Sequence, residues 1–162
     1  MATVSDRNAT QSKFSSDDLK TSLTTFETSL LTPTVSGELS SWLEQVQKTW
    51  EEASAQIHYH LKHLHPRQYE EIAKQDPELL PRLDQLRAED DSIEQQRSQL
   101  SQSIGRVGQH APKLEPDEEK AQKYVTSVVD GGTAFLIQVR KQEVAVQTWY
   151  VEAFNRDGGA VD

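Results

Sequence analysis

Leu39, Leu43, Val46, Trp50, Ala53, Ile57, His60 and Leu64 follow one another at alternating spacings of four and three, with no glycine or proline between Gly37 and Pro66. A strand alternates by two. The four-three rhythm is the seam of an α-helix packed along its whole length against near-parallel neighbours. It returns in Leu79, Leu83, Leu86, Asp90, Ile93, Arg97, Leu100, Ile104 and Val107, and in Ala121, Val125, Val128, Gly132, Phe135, Val139, Gln142, Val146, Trp149 and Ala153. A shorter copy runs Leu19, Leu23, Phe26, Leu30. Four seams predict an all-α chain, an antiparallel four-helix bundle with negligible strand.

Helix ends follow from capping chemistry. Ser15 and Ser16 before Asp17 and Asp18 supply an N-cap and first-turn carboxylates, and Pro33 closes that helix. The Ser36 cap opens a second helix that Pro66 stops, and Pro116 with Asp117, Glu118 and Glu119 opens the last. The predicted helices cover 15–31, 36–65, 78–109 and 116–156, within one domain over 15–157. A disordered N-terminal tail covers 1–14 and a short tail 158–162. RQYEEIAKQD, between Pro66 and Pro77, reads as a structured connection with a short helix of its own. Gly131 and Gly132 inside the last helix cost about 1 kcal/mol each relative to alanine and imply a close crossing or a kink.

Composition removes several functions. The net charge of −9, from 26 acidic and 17 basic residues, repels phosphate backbones and argues against nucleic acid. No apolar run approaches a membrane span and no basic-then-apolar leader is present, so the expectation is a cytoplasmic protein without membrane contact. With no cysteine, only His, Asp and Glu remain as strong metal ligands. No phosphate loop, nucleophile elbow or HExxH motif occurs, which points away from an enzyme.

The polar exceptions on the seams are His60, Asp90 and Gln142, one on each long helix. A polar group buried without a partner costs about 1 to 3 kcal/mol. Two readings are open: each fixes helix register on its own, or the three converge on one site, as bundle metal sites are built from facing helices. Arg97 reads as an arginine reaching solvent, with Asp90 as a second candidate partner. His58, His60, His63 and His65 also cluster in sequence, where regular helical geometry pairs His58 with His65 on one flank and His60 with His63 on the other. His110 reads as a surface residue complementing a helix dipole.

Three stretches resemble bacterial hemerythrin-like (HHE-type) proteins: WYVEAFNRDGGAVD at 149–162, PELLPRLDQLRAEDDSI at 77–93, and the region from Trp42 to HYHLKHLHPRQY. The resemblance spans roughly residues 19 to 162. It implies a non-heme di-iron centre held by histidines and carboxylates of four helices, with His followed four residues later by Glu on two of them. Carried over, His60 keeps its histidine, while the glutamate position is Leu64. The third-helix histidine position is Asp90, and the fourth helix has Gln142 and Val146 for His and Glu. No counterpart of a first-helix ligand exists. The resemblance therefore implies a bundle that has lost its di-iron site, with no cofactor, and serves as a non-catalytic interaction or structural module; its partner is another protein or a second copy. His60, Asp90 and Gln142 are its remnant metal positions. The alternative is an iron or zinc sensor or carrier with a rearranged single-ion site, built on His60 and Asp90 with His63 or a glutamate elsewhere.

Overall fold

In the computed structural model, which describes residues 14–158, the chain is all-helical, with no strand among the described residues. Helix α1 spans Ser16–Leu31 and α2 spans Leu39–Tyr59. A π-helical turn, His60–Leu64, joins α2 without a break to α3, His65–Gln75. A 3₁₀ turn, Pro77–Leu79, leads into α4, Leu80–Leu114, and α5 spans Glu118–Gly158. Helix α1 lies against α2 and α5; α4 packs on α2 and α5; α3 rests mainly on α5. No described helix is long and apolar enough to cross a membrane.

The first turn of α1 is fixed by a capping box. The Asp18 amide donates to Ser15 Oγ and the Ser15 amide to Asp18 Oδ2, both at 3.1 Å, satisfying donors that a helix start leaves orphaned. At α5, Asp117 takes the same part by accepting from the Lys120 amide at 3.2 Å. The start expected at Ser36 lies instead at Leu39. Gly37 has a φ of 81°, a left-handed conformation that no helix continues, so α2 begins only after it.

Two helices run past their expected ends, at Pro66 and at residue 109. The ring of Pro66 clashes with the carbonyl four residues back in a regular helix, and its nitrogen has no proton to donate. The chain widens into a π-turn immediately before it, with the His65 amide bonded to the His60 carbonyl, and α3 continues in place of a connection. Helix α4 likewise passes Gly105, Gly108 and Pro112 to Leu114, because Val107 and Ala111 are buried and Leu114 packs against the core. The tails expected at 1–14 and 158–162 fall outside the described residues, except for Phe14, which stacks on Tyr59, and Gly158, which closes α5.

The interior has two apolar clusters. The larger gathers Leu19 to Leu30 of α1, Leu39 to Leu61, Ile93 to Ala111 of α4 and Val125 to Val139 of α5, with Trp50 between Phe26 and Phe135. The smaller joins Tyr69 and Ile72 of α3, Leu79, Leu83 and Leu86, and Val146 and Ala153 of α5. His60, His65, Asp90 and Gln142 are buried where the two meet in sequence on each helix.

The two glycines of α5 differ. A Cβ on Gly132 would come 2.6 Å from Leu30 Cδ1, so this glycine lets α1 approach α5; one on Gly131 meets only Leu100 Cδ1, at 4.0 Å. Gly131→Ala should therefore stabilise the chain by up to about 1 kcal/mol through helix propensity. Gly132→Ala should be about 1 to 3 kcal/mol less stable than Gly131→Ala, since it overpacks a filled core. Urea titration of the two variants beside the parent chain checks both.

Candidate metal centre

His65 organises the polar layer. An i→i+5 hydrogen bond stacks residues five apart, whereas in a regular α-helix they point about 140° away from each other. The π-turn thus brings His65 round to the face of His60, and their ring centroids lie 6.3 Å apart. The flanks expected for the four histidines change accordingly. His58 sits outside with Glu94 at 2.8 Å, His63 lies against the Tyr59 ring, and His60 and His65 share the interior.

Both nitrogens of His65 face carboxylates. Nδ1 lies 3.0 Å from Asp90 Oδ1, and Nε2 lies 2.7 Å from Glu143 Oε1. Asp90 is itself held from every side: Tyr69 donates its hydroxyl proton to Oδ2 at 2.8 Å, and Gln142 Nε2 donates to Oδ1 at 2.8 Å and to the Leu86 carbonyl at 3.0 Å. Burial lowers the pKa of His65, but the hydrogen bonds and charges of Asp90 and Glu143 outweigh it and raise it from 6.5 to about 9. Burial alone would raise Glu143, and the two imidazoles outweigh that, holding it at about 2. Burial, then the charge of Asp90, pushes the Tyr69 hydroxyl well above its ordinary range, so it stays a donor.

His60 is fully buried and differs in kind. Its Nε2 lies 3.2 Å from the Phe14 carbonyl, which only accepts, so Nε2 carries a proton and Nδ1 is the nitrogen turned to the interior. That atom has no hydrogen-bond partner, and its neighbour is Glu143 Oε2 at 3.5 Å, another acceptor. His60 Nδ1 and His65 Nε2 therefore converge on the Glu143 carboxylate.

Among the described residues, His60, His65 and Glu143 form a group able to hold a metal ion, with one ligand atom of each lying within 4.8 Å of the others. Of the three seam residues, His60 belongs to it. Asp90 and Gln142 stand behind it, Asp90 fixing His65 as the carboxylate of a carboxylate–histidine–metal arrangement does. A di-iron centre does not fit: Leu64 and Val146 offer no bridging oxygen, and Asp90 is committed to three partners. The three could hold a single ion: tetrahedral zinc with bonds near 2.0 Å sets its ligands roughly 3.3 Å apart, and here His60 Nδ1 lies 3.5 Å from Glu143 Oε2 and His65 Nε2 2.7 Å from Oε1. Glu143, with a side chain 27% exposed, also lines a groove of about 820 Å³ with Leu64, Gln68, Arg140 and Gln147.

Arg97 reaches neither Asp90 nor open solvent. It binds both oxygens of Glu94, at 2.7 and 2.9 Å, and Ser54 Oγ at 2.8 Å. His65 and Glu143 are the residues that periodicity missed. Pro66 directly after His65 was the available signal for one, and the acidic neighbour of a polar seam residue, Gln142, for the other.

The two shifts fix a pH window for the metal-free chain. His65, raised from 6.5 to about 9, contributes stability in full below pH 6.5 and loses it as pH rises through about 9. Glu143, lowered from 4.5 to about 2, contributes above pH 4.5 and loses it as pH falls through about 2. Urea midpoints should peak between the two unperturbed values and fall towards pH 9, and Glu143→Gln should flatten the alkaline fall. Asp90→Leu, which strands His65 and Tyr69 in the core, should cost about 3 to 5 kcal/mol at pH 6.

Searches with this chain find no matching family model, no matching curated protein and no matching solved structure, so its chemistry is read from this geometry.

Proposed function

We propose that the chain is a metal-binding sensor or carrier, not an enzyme: a hemerythrin-like antiparallel four-helix bundle whose two-iron centre has given way to a single divalent ion on His60, His65 and Glu143. The observation that carries this reading is His60 Nδ1, fully buried, without a hydrogen-bond partner and 3.5 Å from a carboxylate oxygen of Glu143. A buried imidazole nitrogen facing a carboxylate calls for a positive charge there, either a proton or a metal ion. A divalent ion meets both and takes the place of the proton on His65 Nε2, leaving Nδ1–H on Asp90.

The bundle assignment is supported by the ring of contacts from α1 to α2, α2 to α4, α4 to α5 and α5 back to α1. Two imidazoles and one carboxylate suit zinc or ferrous iron and leave further coordination positions for water. Such an ion supplies Lewis acidity and charge. Among the described residues, His60, His65 and Glu143 are the groups gathered there, and the function read from them is binding. The net charge of −9 favours a cytoplasmic cation carrier over a binder of nucleic acid.

The test is metal content. Purified chain, stripped and reloaded with zinc or with ferrous iron under anaerobic conditions, should hold one ion per chain by elemental analysis. His65→Ala and Glu143→Gln should hold less than a tenth of that, while Gln142→Leu retains the ion. A chain that takes up neither metal stoichiometrically, or takes up two irons, contradicts the proposal.

A further inference from the structure

Among the described residues before α1, Phe14 reaches the polar layer, and it does so through the main chain. The capping box at Ser15 and Asp18 turns the backbone sharply at this point, and the Leu19 amide donates to the Ser15 carbonyl at 3.0 Å to start α1. The carbonyl of Phe14 is thereby aimed across at α2, where it accepts the proton of His60 Nε2 at 3.2 Å. Its ring lies flat on Tyr59, with centroids 4.3 Å apart and planes within 15°. One residue thus clamps two neighbours at the junction of α2 and the π-turn: it stacks on Tyr59 and fixes a proton on His60 Nε2.

We propose that Phe14 is a positioning residue for the metal centre and that metal occupancy and docking of the chain at Phe14 are coupled. This rests on the single-ion reading above and gives its sensor an output. Only the Nε2–H tautomer of His60 offers Nδ1 to an ion, and the Phe14 carbonyl selects that tautomer. Metal on Nδ1 polarises the ring and strengthens Nε2–H as a donor, which holds Phe14 more firmly. Linkage makes the effect reciprocal: whatever factor docking adds to metal affinity, metal adds to docking. The Phe14 ring matters because it pins the carbonyl. Without the stack on Tyr59, the carbonyl swings free and His60 loses its orienting partner. The residue before the Ser15 cap thereby reaches the centre through its main chain, while α1 supplies no ligand.

The test compares zinc affinity, by competition with a chromophoric chelator, with hydrogen exchange of the Ser15 and Asp18 amides that close the capping box. Phe14→Ala should bind one zinc about 10-fold more weakly, and Phe14→Tyr, which keeps the stack, should match the parent chain. Val125→Ala, a core truncation far along α5, should lower stability without changing zinc affinity, which separates positioning from general destabilisation. Zinc should slow exchange at Ser15 and Asp18 several-fold more than at amides in the middle of α4, and this excess should vanish in Phe14→Ala. Equal zinc affinity in Phe14→Ala and the parent, or exchange at Ser15 and Asp18 that zinc leaves unchanged, overturns the coupling while the metal centre stands. A parent chain that binds no zinc or iron overturns the centre and the coupling together.

Discussion

An imidazole held between two carboxylates in a helical interior organises this chain. His65, Asp90 and Glu143 come from α3, α4 and α5, and each would be unfavourable to bury alone. Together they lock three helices in rotation as well as in register, because a side chain that must meet a partner at 2.7 to 3.0 Å tolerates no slip of a turn. Tyr69 and Gln142 complete the enclosure of Asp90, so one carboxylate ties α3, α4 and α5 together through three donors. Apolar packing on either side supplies most of the stabilisation, and the polar layer decides which arrangement of those packed faces is adopted.

The π-turn makes that layer possible. Pro66 would break a regular helix, yet the rod from Leu39 to Gln75 is continuous because one widened turn absorbs the missing donor and the clash. The rotation it introduces replaces Leu64 by His65 on the interior face: Leu64 is half-buried and His65 is 1% exposed. A spacing of five in place of four therefore puts a second histidine where the hemerythrin-like pattern places a glutamate. On α5 the acid stands beside the seam residue, at Glu143, and not a turn further on at the apolar Val146.

Much of the fold was legible because the apolar period of an α-helix is a long-range signal: Leu39 to Ile57 and Val125 to Val139 are buried where the seams put them. The polar seam residues His60, Asp90 and Gln142 were legible for the same reason, as breaks in an otherwise apolar stripe, and all three are buried. The end expected at Pro66 was not, since whether a proline ends a helix, as Pro33 does, or widens it depends on what the following residues bury, here Tyr69 and Ile72. His65 and Glu143 were hidden by the same cause. Counting at 100° per residue places them off the seam, and only a local change of pitch, and the reach of a carboxylate from the edge of the stripe, brings them in.

His65 carries both protons in the metal-free chain and His60 donates from Nε2 to the Phe14 carbonyl; on the single-ion reading a divalent ion replaces the proton between the two rings. Long-range proton–nitrogen NMR of the imidazoles at pH 7 reads this directly. Both His65 nitrogens should report as protonated without metal and His60 as the Nε2–H tautomer. One equivalent of zinc should then deprotonate His65 Nε2 and shift His60 Nδ1. A neutral His65, or a His60 protonated on Nδ1, with neither ring responding to zinc, would contradict the account.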